Sequence, residues 1–196
     1  MLRFALVGCG RIARRHSELL GKNQIADASL VAVCDVVEGK ARKIGSEFGV
    51  PHFADMHQMM QSIDSDVVVV LTESGLHARH VAELTRDALR NMGRYIAGAE
   101  VLICAASYRQ DVGDTRYSGS EMVVRKLTEM GADMRVHDPY VDHWYELETQ
   151  DVYPAPGHSW ARFFRNQGGL TRTRVAKDLG QALSGVEAVI FAVPHE

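Results

Sequence analysis

Two apolar runs, and the residues that end them, set the strongest limit on what this chain can fold into. Phe4-Ala5-Leu6-Val7 leads directly into Gly8-Cys9-Gly10-Arg11-Ile12-Ala13, and Ser29–Cys34 ends on Asp35. A strand that enters a glycine turn and then a helix returns to its own sheet as a parallel strand, through a right-handed crossover. Gly8 permits the tight turn, Gly10 lets the backbone approach a pyrophosphate, and Ala13 lets the helix pack closely on the strand. The first helical turn, with Arg11 and Ile12, offers unbonded N–H groups and a partial positive charge. Asp35 can accept both hydroxyls of a ribose, and its charge opposes a 2′-phosphate. The segment is therefore expected to bind NAD rather than NADP. A plainer reading stands beside it, a glycine turn that only packs helix against sheet.

The alternation continues along the chain. A helix is expected through about Leu20, another over Glu38 to Phe48 closed by Gly49, and a short one from Met56 to Ser62. Asp66–Leu71 is a continuous valine run, the pattern of a parallel strand buried on both faces. A helix from His77 to about Met92 follows. Glu100–Ala105 and Asp133–His137 read as further strands, flanking a helix capped by Ser118 or Ser120 and closed by Gly131. Val141 to Thr173 reads as a long loop with one short helix, broken at Pro154-Ala155-Pro156-Gly157. Its Trp144, Trp160, Phe163 and Phe164 suit a packed flap. A helix over Asp178 to Leu183 and a strand over Ala188–Val193 complete the pattern. The fold class expected is α/β, a Rossmann-like doubly wound parallel sheet of about six strands in the order 3-2-1-4-5-6. Its halves would join through strands one and four, with a seam between Thr85 and Gly98 dividing residues 1–87 from 88–196.

Composition narrows the partners. The chain has 196 residues and a formal net charge of -3, which gives no broad basic surface for nucleic acid or an anionic membrane. No apolar run approaches the roughly 20 residues of a bilayer span, and the N-terminus reads as a strand rather than a signal peptide. Cys9, Cys34 and Cys104 each sit in or beside an apolar run, with no disulfide spacing. That suits buried thiols in a reducing compartment, and a cytoplasmic location is expected.

Further candidates follow the third strand, in Thr72-Glu73-Ser74-Gly75-Leu76-His77. Thr72 and His77 would edge the nicotinamide side of a cofactor cleft; the alternative for His77 is a helix-end residue with no chemical role. His77 and His80 are spaced as a metal pair on a helix would be, but no third ligand follows with suitable spacing, so no metal is expected.

Residues 1 to about 85 resemble the N-terminal domain of the Gfo/Idh/MocA oxidoreductases. The resemblance rests on Phe4 to Ala13, on Val33-Cys34-Asp35 and on Thr72 to His77, in order and suitably spaced. It implies NAD(P)-dependent oxidation, often of sugars. That family continues into a strand ending Glu-Lys-Pro, whose lysine assists proton transfer, and then into a large substrate-binding sheet domain. Neither occurs here. Residues from about 88 to 196 resemble the C-terminal domain of the UDP-glucose/GDP-mannose dehydrogenases. The matching words are Ser107 to Ser118, Val136-His137-Asp138-Pro139-Tyr140 and Ala188 to Val193. In that family the domain helps hold the nucleotide of a UDP-sugar, which implies that Arg109 and Arg116 face a diphosphate. Arg109 stands where that family usually has lysine. The residue-level alternative is an Asp114–Arg116 network that only holds the turn. None of the three cysteines lies in a word like that family's catalytic one.

The sequence thus reads as two incomplete oxidoreductase pieces joined near Thr85–Leu89, as a fusion or chimera would be. The expected function is an NAD-binding oxidoreductase-family protein of UDP-sugar metabolism, with no catalytic acid, base or nucleophile assigned. The alternatives are a non-catalytic nucleotide-binding module and an inactive remnant. Sheet edges left exposed would favour a homo-oligomer, most simply a dimer.

Overall fold

Continuous apolar runs a few residues long, alternating with amphipathic stretches, produce parallel strands with helices on both faces. The computed structural model describes residues 1–148 and 167–195. They fall into two units, Met1–Asn91 and Met92–Glu196.

The first unit runs β1 (Leu2–Val7), α1 (Arg11–Gly21), β2 (Ala28–Cys34), α2 (Glu38–Phe48), β3 (His52–Phe53), α3 (Met56–Ser62), β4 (Val67–Val70) and α4 (His77–Asn91). All strand pairs are parallel, in the order β3-β2-β1-β4. Alternation along β1 splits the core in two. Leu6 packs with Ala13, Leu20, Val33 and Ile44 on the side of α1 and α2. Ala5 and Val7 pack with Ala32, Met59, Met60 and Leu84 on the side of α3 and α4. Gly49 ends α2 in the left-handed conformation, and Asp55 caps α3 by accepting the Gln58 N–H.

The second unit runs β5 (Glu100–Cys104), α5 (Gly119–Glu129), β6 (Asp133–His137), α6 (Tyr145–Glu148), β7 (Val175–Ala176), α7 (Leu179–Leu183) and β8 (Ala188–Phe191). Its order is β7-β6-β5-β8, again parallel. The same winding therefore occurs twice, and the details repeat with it. Gly8 N–H donates to Cys34 O at 2.7 Å, and Ala105 N–H to His137 O at 2.8 Å. Both residues have positive φ, 100° and 85°. Asp35 follows β2; its Oδ2 accepts the Cys9 N–H and its Oδ1 the Val37 N–H, two residues on. Asp138 follows β6; its Oδ2 accepts the Ala106 and Ser107 N–H groups and its Oδ1 the Tyr140 N–H, again two residues on.

The α/β class with parallel sheets matches the sequence reading, while the strand count and order correct it. Among the described residues there are two sheets of four strands, not one of about six in the order 3-2-1-4-5-6. The additional strands, β3 and β7, have two residues each. That is too short to show a period. Counting them, each unit winds 3-2-1-4 by itself, and the strand read as third lies on the far side of β1 from β2. Of the expected flap, Trp144 is 1% exposed and Leu147 is fully buried. Trp160, Phe163, Phe164 and the Pro154–Gly157 break lie outside the described residues.

Asp138 is fully buried and also accepts the Ser107 hydroxyl at 3.1 Å and the Val141 N–H at 3.1 Å. Burial pushes its carboxyl up, but the Tyr140, Ser107 and Ala106 N–H groups and the Ser107 hydroxyl outweigh burial and hold it below the usual carboxylate range. A carboxyl depressed by folding stabilises the fold fully above its unfolded value of about 3.9 and loses that contribution as pH falls through the folded value. Asp138→Asn should cost about 2–4 kcal/mol at neutral pH, measured by denaturant unfolding. Below about pH 4 the gap between variant and parent should narrow.

Candidate functional site

The first unit's candidate site lies at the carboxyl ends of β1 and β2, where open α/β sheets place ligands. Gly8 is buried, and a Cβ there would lie 2.6 Å from Leu71 C. The backbone just beyond β4 therefore passes too close for any side chain, and φ of +100° reinforces the requirement for glycine. Gly10 differs: it is exposed, its φ is an ordinary -78°, and a Cβ there would meet nothing within 4 Å. It caps α1 with no side-chain hydrogen bond, and the first turn contains no acidic residue. The first-turn N–H groups of a helix have no partner within it, and an anion there gains from them. Arg11 is exposed, Ile12 is 62% exposed, and Ala13 is fully buried against the sheet.

Asp35 sits half-buried at the rim. Each carboxylate oxygen takes one backbone N–H, Cys9 at 2.7 Å and Val37 at 2.8 Å, and an ionised oxygen keeps further lone pairs for a hydroxyl donor. Val36 and Val37 follow it, 89% and 51% exposed. Burial, with Asp35 adding to it, pushes the Cys9 thiol up to about 11. Burial pushes Cys34 up to about 12 and raises Cys104 as well. All three thiols are protonated at neutral pH, which disfavours nucleophilic chemistry.

Thr72 leaves β4 and gathers both histidines. His77 Nε2–H donates to Thr72 O at 2.6 Å, and His80 Nδ1 lies 2.9 Å from Thr72 Oγ1. Burial holds His80 below the usual histidine range. The pair is thus engaged by Thr72, and no group of His, Cys, Asp and Glu suited to a metal occurs among the described residues.

In the second unit, the stretch from Ala105 to Ser118 folds on itself. Tyr108 N–H donates to Asp114 O, and Ser118 Oγ–H to Ser107 O. Arg116 pairs with both oxygens of Asp114, through Nε at 2.9 Å and Nη2 at 2.8 Å. The hydrogen bond from Arg116 holds the Asp114 carboxyl down at about 2. Arg116 is 75% exposed, so a ligand can reach it, but the turn already engages its fork. Arg109 is exposed, with its guanidinium carbon 6.0 Å from the Tyr108 ring centroid. Sequence reasoning missed the role of Asp138 in fastening this turn. The available signal was its place one residue beyond a strand, the same as that of Asp35.

Residues 2–90 match the oxidoreductase family, NAD-binding Rossmann fold, and residues 102–196 match the UDP-glucose/GDP-mannose dehydrogenase family, UDP binding domain. The resemblance read separately in each half of the sequence therefore stands, and NAD is the cofactor type of the first segment. Inositol 2-dehydrogenase of Rhizobium meliloti is 33% identical over 85 residues, covering 43% of this chain and 25% of that protein. Inositol 2-dehydrogenase of Salmonella typhimurium is 26% identical over 125 residues, covering 62% of this chain and 35% of that protein. The chain thus spans only a quarter to about a third of these relatives' length. Similar solved structures include the WlbA dehydrogenase of Chromobacterium violaceum in complex with NADH and UDP-GlcNAcA. It is 27% identical with a TM-score of 0.46, covering 69% of this chain and 34% of that one. The NDP-N-acetyl-D-galactosaminuronic acid dehydrogenase of Methanosarcina mazei Go1 is 21% identical with a TM-score of 0.45, covering 62% and 20%. No helix among the described residues is long and apolar enough to cross a membrane.

The two glycines should separate by experiment. Gly8→Ala should lower stability by about 2 kcal/mol or more, through the close approach of Leu71 and the positive φ. Gly10→Ala should leave stability within about 1 kcal/mol of the parent or raise it. Urea unfolding of both variants checks this.

Proposed function

We propose that the first unit binds NAD and the second the nucleotide part of a UDP-sugar, in a protein of the nucleotide-sugar oxidoreductase lineage. The observation that carries the cofactor half is the uncapped N-terminus of α1, open at Gly10, with the Asp35 carboxylate at its rim. The α1 N–H groups would hold the pyrophosphate, with Gly8 shaping the turn, Arg11 and Ile12 bordering it and Ala13 seating the helix. Asp35 would take the ribose hydroxyls, and Thr72 with His77 would border the nicotinamide side. Arg109 and Arg116 would hold the diphosphate of the UDP-sugar. The description of the family matched by residues 102–196 supports that half.

A binding role without turnover is the reading within this class that the side chains favour. Hydride transfer from an alcohol needs a base near the hydroxyl. Here His77 Nε2 is hydrogen-bonded to Thr72 O, His80 lies against Thr72 Oγ1, and the thiols are protonated. The lysine expected from the first family's motif is absent from the sequence.

Calorimetric titration with NAD, NADP and UDP-GlcNAc tests both halves. NAD should bind more tightly than NADP. Asp35→Ala should weaken NAD by about tenfold or more and abolish the preference, since it removes a charge-assisted pair of hydrogen bonds and the repulsion of a 2′-phosphate. Arg109→Ala with Arg116→Ala should weaken UDP-GlcNAc alone. NAD affinity unchanged by Asp35→Ala would reject the ribose assignment, and a parent protein indifferent to UDP-GlcNAc would reject the second half.

A further inference from the structure

β8 lies parallel beside β5, with Phe191 opposite Cys104. The segments leaving the two strands therefore start side by side, and the Ala192 N–H still donates to Cys104 O at 3.1 Å. Three residues on, His195 meets the turn that follows β5. Its side chain is 8% exposed. The Tyr140 ring, from the segment that follows β6, lies against it with 5.2 Å between ring centroids. His195 thus sits at the carboxyl ends of the strands, the side on which open α/β sheets place ligands.

Both imidazole nitrogens are engaged, and the direction of each bond follows from its neighbour. The Asp111 N–H donates to His195 Nδ1 at 3.0 Å, so Nδ1 carries no proton and Nε2 does. Nε2 lies 3.1 Å from Ser107 Oγ. That hydroxyl gives its own proton to Asp138 Oδ2 at 3.1 Å, because an ionised carboxylate only accepts, and it therefore accepts from Nε2–H. Amide, imidazole, hydroxyl and carboxylate form one chain of hydrogen bonds with a single direction. Ser107 is fully buried, which keeps its hydroxyl out of reach as a nucleophile and leaves the histidine a holding role.

The imidazole grips the stretch Ser107–Asp111 at both ends. Asp111 has a φ of 56°, a left-handed conformation that needs support in a residue other than glycine. Arg109 stands at the middle of the gripped stretch and is exposed. A guanidinium fork recognises paired phosphate oxygens by its geometry, and a fork on a fixed backbone loses less freedom on binding.

We propose that His195 is a positioning residue of the UDP-sugar site, fixing the backbone beneath Arg109 through Ser107 and Asp111. The proposal rests on the reading of Arg109 as a diphosphate contact, and it adds a side chain that acts through Arg109.

The test is a double-variant cycle, read by calorimetric titration of the full chain with UDP-GlcNAc. His195→Ala should weaken binding about tenfold, as the loss of one or two hydrogen bonds would. Arg109→Ala should weaken it at least as much. The two together should bind little more weakly than Arg109→Ala alone, since nothing is left to position. His195→Asn, whose Oδ1 can accept the Asp111 N–H in place of Nδ1, should regain most of the affinity. NAD affinity should stay that of the parent throughout, and circular dichroism checks folding. Should the alanine variant not fold, His195→Gln, which keeps a donor for Ser107 and loses the acceptor for Asp111, takes its place in the cycle. Parent-like UDP-GlcNAc binding by His195→Ala would overturn the proposal and leave the UDP-sugar reading standing. So would losses that add in full, the mark of a structural role unconnected with Arg109. An asparagine variant no better than alanine would overturn the part given to Nδ1. A parent that does not bind UDP-GlcNAc would reject the UDP-sugar reading, and this proposal with it.

Discussion

A carboxylate one residue beyond the second strand, reaching across to the backbone after the first, organises each unit. Asp35 does this with the Cys9 N–H, and Asp138 with those of Ala106 and Ser107. A chain leaving a parallel strand must turn sharply, and the N–H groups in the turn have no strand partner. A carboxylate satisfies them with charge-assisted bonds, stronger than neutral ones. It thereby fixes where the turn lies and the direction in which the next helix starts. Everything suited to ligand binding in the first unit follows from that placement: the open N-terminus of α1, the exposed Gly10 and the rim position of Asp35 itself.

The two units use the same device in different ways. In the first, the turn is short and the helix begins at once, so Asp35 keeps one face toward solvent and lone pairs to offer. In the second, the path from Ala105 to Ser118 is long and folds over the carboxylate. Asp138 is fully buried there, with five hydrogen bonds to its two oxygens, counted as Ala106 N, Ser107 N, Ser107 Oγ, Tyr140 N and Val141 N. One winding thus yields a carboxylate open to a ligand in one place and closed in the other. The difference lies in the length of the connection, not in the strands.

Much of this was legible in the residues because it is local. The valine run of β4, the glycine turn after β1, the αL stop at Gly49 and the cap at Ser118 each carry a signal within a few positions. The candidate cofactor residues were legible for the same reason, since turn, helix start and acidic residue fall within one βαβ unit. What could not be read was pairing between distant segments. His52–Phe53 and Val175–Ala176 join their sheets through a few backbone bonds, with no pattern of their own. The division into two four-stranded sheets depends on which edge each strand finds, and strand hydrophobicity is the same either way. Thr72 gathering two histidines was equally hidden, because it depends on the entry angle of α4.

Asp35 has one more consequence, and it concerns descent. A residue that fastens a turn is retained for stability whether or not anything binds beside it. A lineage that lost its dinucleotide would still be selected to keep this acid, and the glycine beneath Leu71 with it. The fingerprint can therefore outlive the ligand, as a scar that is also a rivet. A lineage moving to a phosphorylated dinucleotide would first have to find another acceptor for the Cys9 and Val37 N–H groups. Drift at this position is thus held back by the turn itself, whether or not a ligand adds a second restraint.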